Sequence, residues 1–203
     1  MEDQEKLWDK IATEWHKYKQ KPSENAKLFL EKAHGNVLDL GSGSGRHLTK
    51  IKNGKMFLFD FSEKMLNLAR EKSKAENIEA EFIHSQLEKI EKLDNFFDFA
   101  ICISALHCVK GKTKRGKVVK ELFRVLKKNG KAYIGVWNIQ SKRFKKQFKN
   151  KQKEKMVGWT DKGDRYYYLF DEKEVHDLFE KSGFEIISTQ NSEAMINFVI
   201  KKP

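Results

Sequence analysis

Short apolar blocks alternate with longer polar stretches along this 203-residue chain. The apolar blocks are rich in Val, Ile, Leu and Phe and have the length of buried strands, whereas the stretches between them are rich in Lys, Glu, Leu and Ala, which favour helices. The pattern predicts strands at residues 36–40, 56–60, 79–84, 97–103, 130–137, 184–189 and 195–201. It predicts helices at residues 45–52, 63–75, 86–92, 115–127 and 171–181. Alternation of this kind indicates a parallel sheet covered by helices on both faces.

The beginning of the chain departs from this alternation. Residues 7–29 read as helical, with a break at Lys21-Pro22 and with Ser23 as the N-cap of the second segment. We therefore expect a helical lid over residues 1–35, ahead of the sheet.

The end of the chain departs from it as well. Only the turn Asn191-Ser192-Glu193 separates the last two strands, and so short a link permits only an antiparallel pair. The chain is therefore predicted to be one α/β domain over residues 1–203, with a seven-stranded, mostly parallel sheet that ends in an antiparallel hairpin.

Charge adds a candidate partner to this picture. Lys and Arg number 41 against 29 acidic residues, which gives a net charge of +12. Such an excess is typical of proteins that bind polyanions, and RNA is the obvious candidate. A lysine bias that only solubilises the surface explains the same numbers, and the charge alone does not separate the two interpretations.

Other features of the composition predict where the protein works. Cys102 and Cys108 form neither a disulfide framework nor a metal-type pair, so we expect reduced thiols, no metal site and a cytoplasmic protein. No apolar run approaches the roughly 20 residues that a membrane span needs, and no signal peptide is visible in the polar N-terminus. No membrane partner is predicted.

A glycine-rich segment follows the first predicted strand. Val37, Leu38 and Leu40 suit a buried strand, and the loop Gly41-Ser42-Gly43-Ser44-Gly45 allows a tight turn with its backbone against a ligand. A helix-like segment follows at residues 47–51. A strand, a glycine loop and a helix N-terminus together indicate a nucleotide-sized binding site.

Two residues narrow the choice of nucleotide. The fingerprint of hydride-transfer enzymes needs a third glycine where this chain has Arg46, which argues against nicotinamide or flavin. Asp60 closes the second predicted strand, where a carboxylate can accept both hydroxyls of a ribose. Asp60 could instead cap the next helix, but Ser62 is better placed for that.

With Asp39 ahead of the loop, the pattern resembles the S-adenosylmethionine site of class I methyltransferases, which have a Rossmann-like fold. The resemblance implies that Asp39 meets the methionine amine and that Gln86, in place of the usual acidic residue, contacts adenine. The cofactor site that it implies consists of Asp39, Gly41, Ser42, Gly43, Gly45, Arg46, Asp60, Phe61, Gln86, Leu87 and Ile103.

Four further segments resemble the tRNA wobble-uridine carboxymethyl methyltransferases. They are Ile11-Ala12-Thr13-Glu14-Trp15 followed by Lys19 to Pro22, then Ala105-Leu106-His107, then residues 132–137, and finally Val157-Gly158-Trp159 with residues 164–170. The resemblance implies methyl esterification of 5-carboxymethyluridine at the first anticodon position. This chain departs from the family at three positions. It has Lys19 where the family usually has an arginine, Ser23 where the family has a tryptophan, and Cys108 where the family has a histidine.

The resemblance also implies roles at the acceptor site. A carboxylate is already a nucleophilic anion, so the reaction needs placement and a dry site rather than a base. His107, Arg165 and Tyr166 are the expected catalytic residues: His107 orients the acceptor, Arg165 holds a carboxylate or phosphate, and Tyr166 stacks on uracil with Trp137. The alternatives are a core Trp137, an edge strand over residues 166–168, and a hydrogen-bonded loop histidine.

A basic insertion separates Trp137 from Trp159. Lysines crowd residues 142–155, with Phe144 and Phe148 interleaved, so residues 138–170 are predicted to bind the substrate by clamping RNA phosphates. The alternative is a solvated surface helix. The expected substrate-binding residues are Lys19, Lys21, Trp137, Lys145, Lys146 and Lys149.

By the same resemblance, tRNA and a small zinc-binding activator protein are the expected partners. The activator would form a heterodimer at the sheet edge near the third strand, where Phe57, Ile78, Ala80 and Phe82 offer apolar side chains. Two rival functions stay open. One is a small-molecule methyltransferase acting on a carboxylate, amine or quinone, and the other is a catalytically silent RNA-binding subunit.

Overall fold

The computed structural model describes residues 3–142, 144 and 152–203. The strands are β1 (His34–Leu40), β2 (Lys52–Asp60), β3 (Ala80–His84), β4 (Phe97–Ile103), β5 (Leu126–Trp137), β6 (Glu154–Gly158), β7 (Asp164–Tyr168), β8 (Glu185–Thr189) and β9 (Met195–Lys201). The helices are α1 (Gln4–Tyr18), α2 (Glu24–Leu30), α3 (Glu63–Ala75), α4 (Lys112–Val125) and α5 (Glu172–Glu180). Over the described part of the chain, no helix is both long and apolar enough to cross a membrane.

The main sheet confirms the predicted fold class. Its seven strands run in the order β3-β2-β1-β4-β5-β9-β8. The first five strands pair in parallel, whereas β9 is antiparallel to both β5 and β8. Val37, Leu38 and Leu40 of β1 are fully buried, as a central strand covered on both faces requires.

Two of the predicted helices are absent. Residues 45–52 form turns, in which the Gly45 N–H donates to Ser42 O at 3.2 Å and the Leu48 N–H donates to Gly45 O at 3.1 Å, and β2 then begins at Lys52. The glycine loop is therefore not followed by a helix N-terminus. Residues 86–92 are also not helical, because side chains of α4 bind their backbone.

The bonds from α4 are specific. Glu121 Oε2 accepts from the Ile90 N–H at 3.1 Å, while Arg124 donates to Ile90 O at 2.8 Å and to Lys92 O at 2.9 Å. Tertiary hydrogen bonds thus replace those that a helix would have made.

Helix α1 lies over the carboxyl edge of the sheet. Its buried face, Leu7 and Ile11, packs in one cluster with Met65 of α3 and Tyr167 of β7. Asp9 holds α1 to the start of α3, since its Oδ1 accepts from Ser62 Oγ at 2.6 Å. Ser23 is the N-cap residue of α2 by position but makes no side-chain capping bond.

The antiparallel hairpin of β6 and β7 is a second, two-stranded sheet. Successive residues of a strand face opposite sides. Tyr166 and Tyr168 pack into the central core, whereas Tyr167 packs into the cluster under α1. The hairpin therefore connects the core of the domain to the helix that covers it.

Candidate functional site

Two adjoining cavities open at the carboxyl edge of the sheet. The larger, of about 370 Å³, lies between Asp60, Gln86 and Ala105. The smaller, of about 90 Å³, is lined by His107, Trp137 and Tyr167 among others. Gly41, Gly43 and Ser104 line both, so the glycine loop forms the boundary between them.

Gly41 and Gly43 have different structural roles in this loop. Gly41 has φ of +78°, and a Cβ there would lie 2.2 Å from the Cβ of Ala105. Gly43 also has a positive φ of +54°, but a Cβ there would meet nothing within 4 Å. Gly41 thus allows the loop to press against the segment after β4, and Gly43 presents open backbone to the cavities.

The carboxylate of Asp60 holds the glycine loop through a hydrogen bond. Its Oδ2 accepts from the Gly43 N–H at 2.7 Å, and its Oδ1 accepts from the Ser62 N–H at 2.9 Å. Burial raises the pKa of Asp60 to about 6, against the lowering effect of these backbone donors. Ser62 caps α3 through the Met65 N–H at 3.2 Å, as the sequence predicts. The backbone N–H of Phe61 also interacts with this carboxylate, which keeps lone-pair capacity for a ligand in the larger cavity.

Asp39 lies beneath the loop with almost no exposure to solvent. Its Oδ2 is buried and has no hydrogen-bond partner within the described residues. Burial raises the pKa of this carboxyl to about 7, and the nearby Arg46 guanidinium acts in the opposite direction. A buried carboxylate oxygen without a donor is costly, so this position fits a cationic ligand group.

Helix α1 closes the far end of the larger cavity. Phe61, Gln86 and Leu87 line this cavity together with Glu5 and Trp8 of α1, and Trp8 lines the smaller cavity as well. Gln86 Nε2 donates to Glu5 Oε2 at 3.1 Å, which leaves the Gln86 carbonyl oxygen to accept from a ligand. The sequence does not predict the lining by Glu5 and Trp8, because nothing in α1 marks which of its turns faces the loop.

His107 is a neutral hydrogen-bond donor in the smaller cavity. Its Nδ1 accepts from the Trp137 N–H at 3.0 Å, and burial lowers its pKa to about 3. A neutral imidazole that accepts at Nδ1 carries its proton at Nε2. Nε2 is buried and has no partner among the residues that the structure describes. His107 therefore offers an N–H to an acceptor and cannot take up a proton there.

Trp137 and Tyr167 form the aromatic side of the smaller cavity. Their rings stack with centroids 4.1 Å apart and planes at 20°. Arg165 supports this stack, since its Nη1 donates to the Tyr167 hydroxyl at 2.8 Å. Arg165 is itself buried behind Tyr167, with Trp159 4.7 Å away, and lines neither cavity. The predicted direct contact of Arg165 with the acceptor is therefore corrected to support through Tyr167.

Tyr166 is not at the site, and the prediction that it stacks on the acceptor is wrong. Its hydroxyl donates to Glu154 Oε1 at 3.0 Å and lies 3.4 Å from Arg115 Nη1, within the central core. Tyr167, one residue further along the strand, lines the smaller cavity instead. It was missed because residues 165–168 are all buried, so no polar alternation marks the inner face.

The two cavities differ in charge. Lys19 and Arg46 line the smaller cavity, together with Ser42 and Ile103. No acidic residue lines it within the part of the chain that the structure describes. Asp3, Glu5, Asp60 and Glu88 outnumber Lys110 and Lys114 in the larger cavity.

The remaining predicted residues lie elsewhere. Lys21 is exposed between α1 and α2 and lines neither cavity. Gly45 packs against Ala69 of α3 rather than facing a cavity. Lys145, Lys146 and Lys149 lie outside the described residues.

Comparisons with known proteins agree with this geometry. A family model described as a methyltransferase domain matches residues 31–195. The chain belongs to this methyltransferase family. The tRNA (carboxymethyluridine(34)-5-O)-methyltransferase of Schizosaccharomyces pombe is 27% identical to this methyltransferase, over 89% of this chain and 88% of that protein.

Two solved structures share the fold of this methyltransferase. One is a SAM-dependent methyltransferase of Methanosarcina mazei, with a TM-score of 0.74 and 21% identity over 90% of this chain and 98% of that one. The other is a methyltransferase of Haloferax volcanii in complex with the Trm112 methyltransferase activator, with a TM-score of 0.75 and 16% identity over 99% and 98%. S-adenosylmethionine is the cofactor of this methyltransferase.

Proposed function

We propose that this methyltransferase esterifies the carboxylate of 5-carboxymethyluridine at the wobble position of tRNA. The observation that carries the proposal is the smaller cavity, which combines a cationic and aromatic lining with the absence of a group that is basic near neutrality among its described lining residues. Its two histidines, His47 and His107, are both buried, and burial lowers the pKa of each to about 3. The activity named for the S. pombe relative supports the same acceptor.

The larger cavity and the glycine loop fit S-adenosylmethionine. Asp60 and Gln86 line the larger cavity, where Asp60 suits the ribose hydroxyls and Gln86 suits the adenine amine. Asp39 lines neither cavity, but its buried Oδ2, which has no partner among the described residues, suits the methionine ammonium. Arg46 lines the smaller cavity beyond the loop, where it suits the methionine carboxylate. When bound, S-adenosylmethionine supplies an electrophilic methyl group on its sulfonium.

The protein groups at the smaller cavity favour an acceptor that arrives as an anion. His107 bears its proton at Nε2 and cannot accept another there. Cys108, on the same turn, is an un-ionised thiol because burial raises its pKa. An amine or phenol would have to lose a proton that neither residue takes up, whereas a carboxylate is already ionised at neutral pH.

The same residues suit a uracil that carries this carboxylate. Trp137 is only partly buried and is braced by the stacked Tyr167 ring, so its indole suits a base splayed out of a single-stranded loop. His107 can donate its Nε2–H to the carboxylate or to a uracil carbonyl, and Lys19 adds a positive charge. Arg165 holds Tyr167 in place through its hydroxyl. The lid over residues 1–35 and the basic segment within 138–170 would close over the RNA.

The edge of the sheet suits the activator. Strand β3 ends the strand order and presents unpaired backbone groups, to which a partner strand can add. Ala80 and Phe82 are partly exposed there, whereas Phe57 and Ile78 are buried behind them. We propose that a small zinc-binding activator covers this edge, and the activator complex of the H. volcanii neighbour supports the idea.

The test uses tritiated S-adenosylmethionine and tRNA carrying 5-carboxymethyluridine, with and without the activator. We expect label in the tRNA that mild base releases, because a methyl ester hydrolyses and a methylated base does not. Matched tRNA with an unmodified wobble uridine should accept no label. Base-stable label, or transfer to a small carboxylate, amine or quinone alone, would contradict the proposal. So would RNA binding without any transfer, which is what a catalytically silent subunit predicts.

A further inference from the structure

Tyr18, the last residue of α1, is a large aromatic side chain that stands in solvent. It is 65% exposed, although it belongs to a cluster of rings. Single exposed apolar residues are common on protein surfaces and mean nothing alone. Tyr18 differs because of what surrounds it, and its surroundings connect it to the smaller cavity.

Two tryptophans hold the Tyr18 ring. Its centroid lies 6.1 Å from that of Trp15 and 5.9 Å from that of Trp159. Trp159 is fixed in turn, since its Nε1 donates to Glu14 at 2.7 Å. An exposed ring that is already ordered loses little entropy when a ligand stacks on it.

Positive charge surrounds this ring. Lys19 Nζ lies 5.0 Å from the ring centroid, and Lys17 and Lys21 are exposed on either side along the chain. Residues 15–22 contain no acidic residue, and the carboxylate of the preceding Glu14 is paired with Lys162. A basic surface around an exposed aromatic ring is the arrangement with which proteins bind single-stranded nucleic acids, because phosphates meet the cations and bases stack on the ring.

The patch is continuous with the smaller cavity. Trp15 contacts Tyr18 on one side and lines the cavity on the other, and Lys19 lines the cavity as well. A nucleotide held in the cavity would therefore leave its neighbour in the same strand beside Tyr18.

We propose that Tyr18 is a stacking platform for the base next to the target uridine, with Lys17 and Lys21 against the flanking phosphates. This inference rests on the proposed function, because it takes single-stranded RNA as the acceptor. It extends the RNA contact to a neighbouring nucleotide and so makes an anticodon loop a better substrate than the isolated nucleoside.

The test compares Tyr18→Ala with Tyr18→Phe and Tyr18→Trp, which keep an aromatic ring. The ligand is an anticodon stem-loop with 5-carboxymethyluridine at the wobble position and 2-aminopurine beside it. Because stacking contributes about 1–3 kcal/mol per base, we expect Tyr18→Ala to weaken stem-loop binding about tenfold or more and to abolish the quenching of 2-aminopurine fluorescence. Both aromatic variants should behave like the wild type.

Ile187→Ala is the matched control, since Ile187 is 49% exposed on β8, the last strand in the order of the main sheet, and lines neither cavity. The binding of S-adenosylhomocysteine should be unchanged in every variant, which shows that the fold is intact. Equal stem-loop affinity for Tyr18→Ala and wild type would overturn the platform even if methyl transfer is observed. If the wild type binds the stem-loop without transferring methyl, the proposed function fails. The ratio of the stem-loop affinities of wild type and Tyr18→Ala still tests whether Tyr18 is a stacking platform. A wild type that does not bind the stem-loop would overturn both.

Discussion

The Nδ1 atom of His107 accepts a hydrogen bond from the backbone N–H of Trp137 across 3.0 Å. This bond ties the turn after β4 to the end of β5, and it also determines the chemistry of the imidazole. With Nδ1 engaged as an acceptor and the ring buried, the proton stays on Nε2. The histidine is then a fixed donor beside the glycine loop rather than a base.

The first prediction concerns the pH dependence of transfer. Since burial lowers the pKa of His107 to about 3, no ionisation of this ring falls near neutrality. At saturating cofactor, kcat for the carboxymethylated tRNA should be flat from about pH 6 to about pH 9. A limb near pH 6.5 that disappears in His107→Gln would show that the imidazole acts as a base.

Removing the donor should slow the reaction without this pH effect. His107→Phe keeps a ring against Trp137 and Tyr167 but loses the Nε2–H. A hydrogen bond to a charged group contributes about 1.5–3 kcal/mol, so kcat/KM for the RNA should fall about 10- to 100-fold. His107→Gln retains an amide donor and should lose less. Equal losses in the two variants would argue against a role for the donor.

The second prediction follows from Asp39. Its pKa is about 7 in the folded protein and about 4 in an unfolded chain, so the folded state binds the proton more tightly. Without cofactor, the contribution of Asp39 to stability should therefore be lost as the pH rises from about 4 to about 7. The loss should be on the order of 2–4 kcal/mol, since one pKa unit corresponds to about 1.4 kcal/mol.

Chemical denaturation at several pH values measures this loss. Asp39→Asn should remove that part of the pH dependence and weaken the binding of S-adenosylhomocysteine, whose amine it no longer attracts as an anion. Wild-type binding should also be tighter at pH 8 than at pH 5.5. An Asn variant that binds as tightly as wild type would show that Asp39 serves the fold alone.

The third prediction uses two neighbouring tyrosines as each other's control. Tyr167→Leu removes the ring that stacks on Trp137 and should raise KM for the RNA about tenfold or more, because the indole on which the base stacks is then no longer held in place. Tyr166→Phe removes only a hydroxyl that bonds Glu154 and Arg115 in the core. It should lower stability by about 1 kcal/mol and leave KM unchanged. The reverse pattern would mean that the hairpin presents its other face to the acceptor.

The fourth prediction concerns the lysines of the insertion. Replacing Lys145, Lys146 and Lys149 with alanine should flatten the plot of log Kd for tRNA against log salt, by about 0.7–0.9 for each phosphate that the variant no longer neutralises. The control replaces Lys128, Lys131 and Lys181, which are exposed away from the carboxyl edge of the sheet. Equal slopes in the two triple variants would leave the insertion without a specific part in RNA binding.

Much of the fold could be predicted because buried strands can be recognised from their apolar composition. Phe97–Ile103 and Met195–Lys201 match their predicted ranges residue for residue. The helices predicted at 45–52 and 86–92 failed because local spacing does not reveal tertiary competitors. Arg124, more than 30 residues away from Ile90, binds the backbone that a helix would have used.

The candidate site, like the fold, contains residues that the sequence identifies and residues that it does not. The sequence points to four residues at the glycine loop because the backbone conformation or the charge that each supplies is needed locally. They are Asp39, Gly41, Gly43 and Asp60. The residue of β7 that faces the smaller cavity could not be identified from the sequence, because Arg165 to Tyr168 are buried on both sides of the strand. Tyr166 and Tyr167 are chemically identical, and only packing against α1 and α4 distinguishes them.

The most direct measurement is nucleoside mass spectrometry of tRNA after reaction with the protein, its activator and S-adenosylmethionine. Our account predicts that 5-carboxymethyluridine at the wobble position disappears and that its methyl ester appears in equal amount. Treatment with mild base should restore the free acid. A methyl group found on any other nucleoside, or an unchanged wobble position under conditions where the protein binds cofactor, would contradict it.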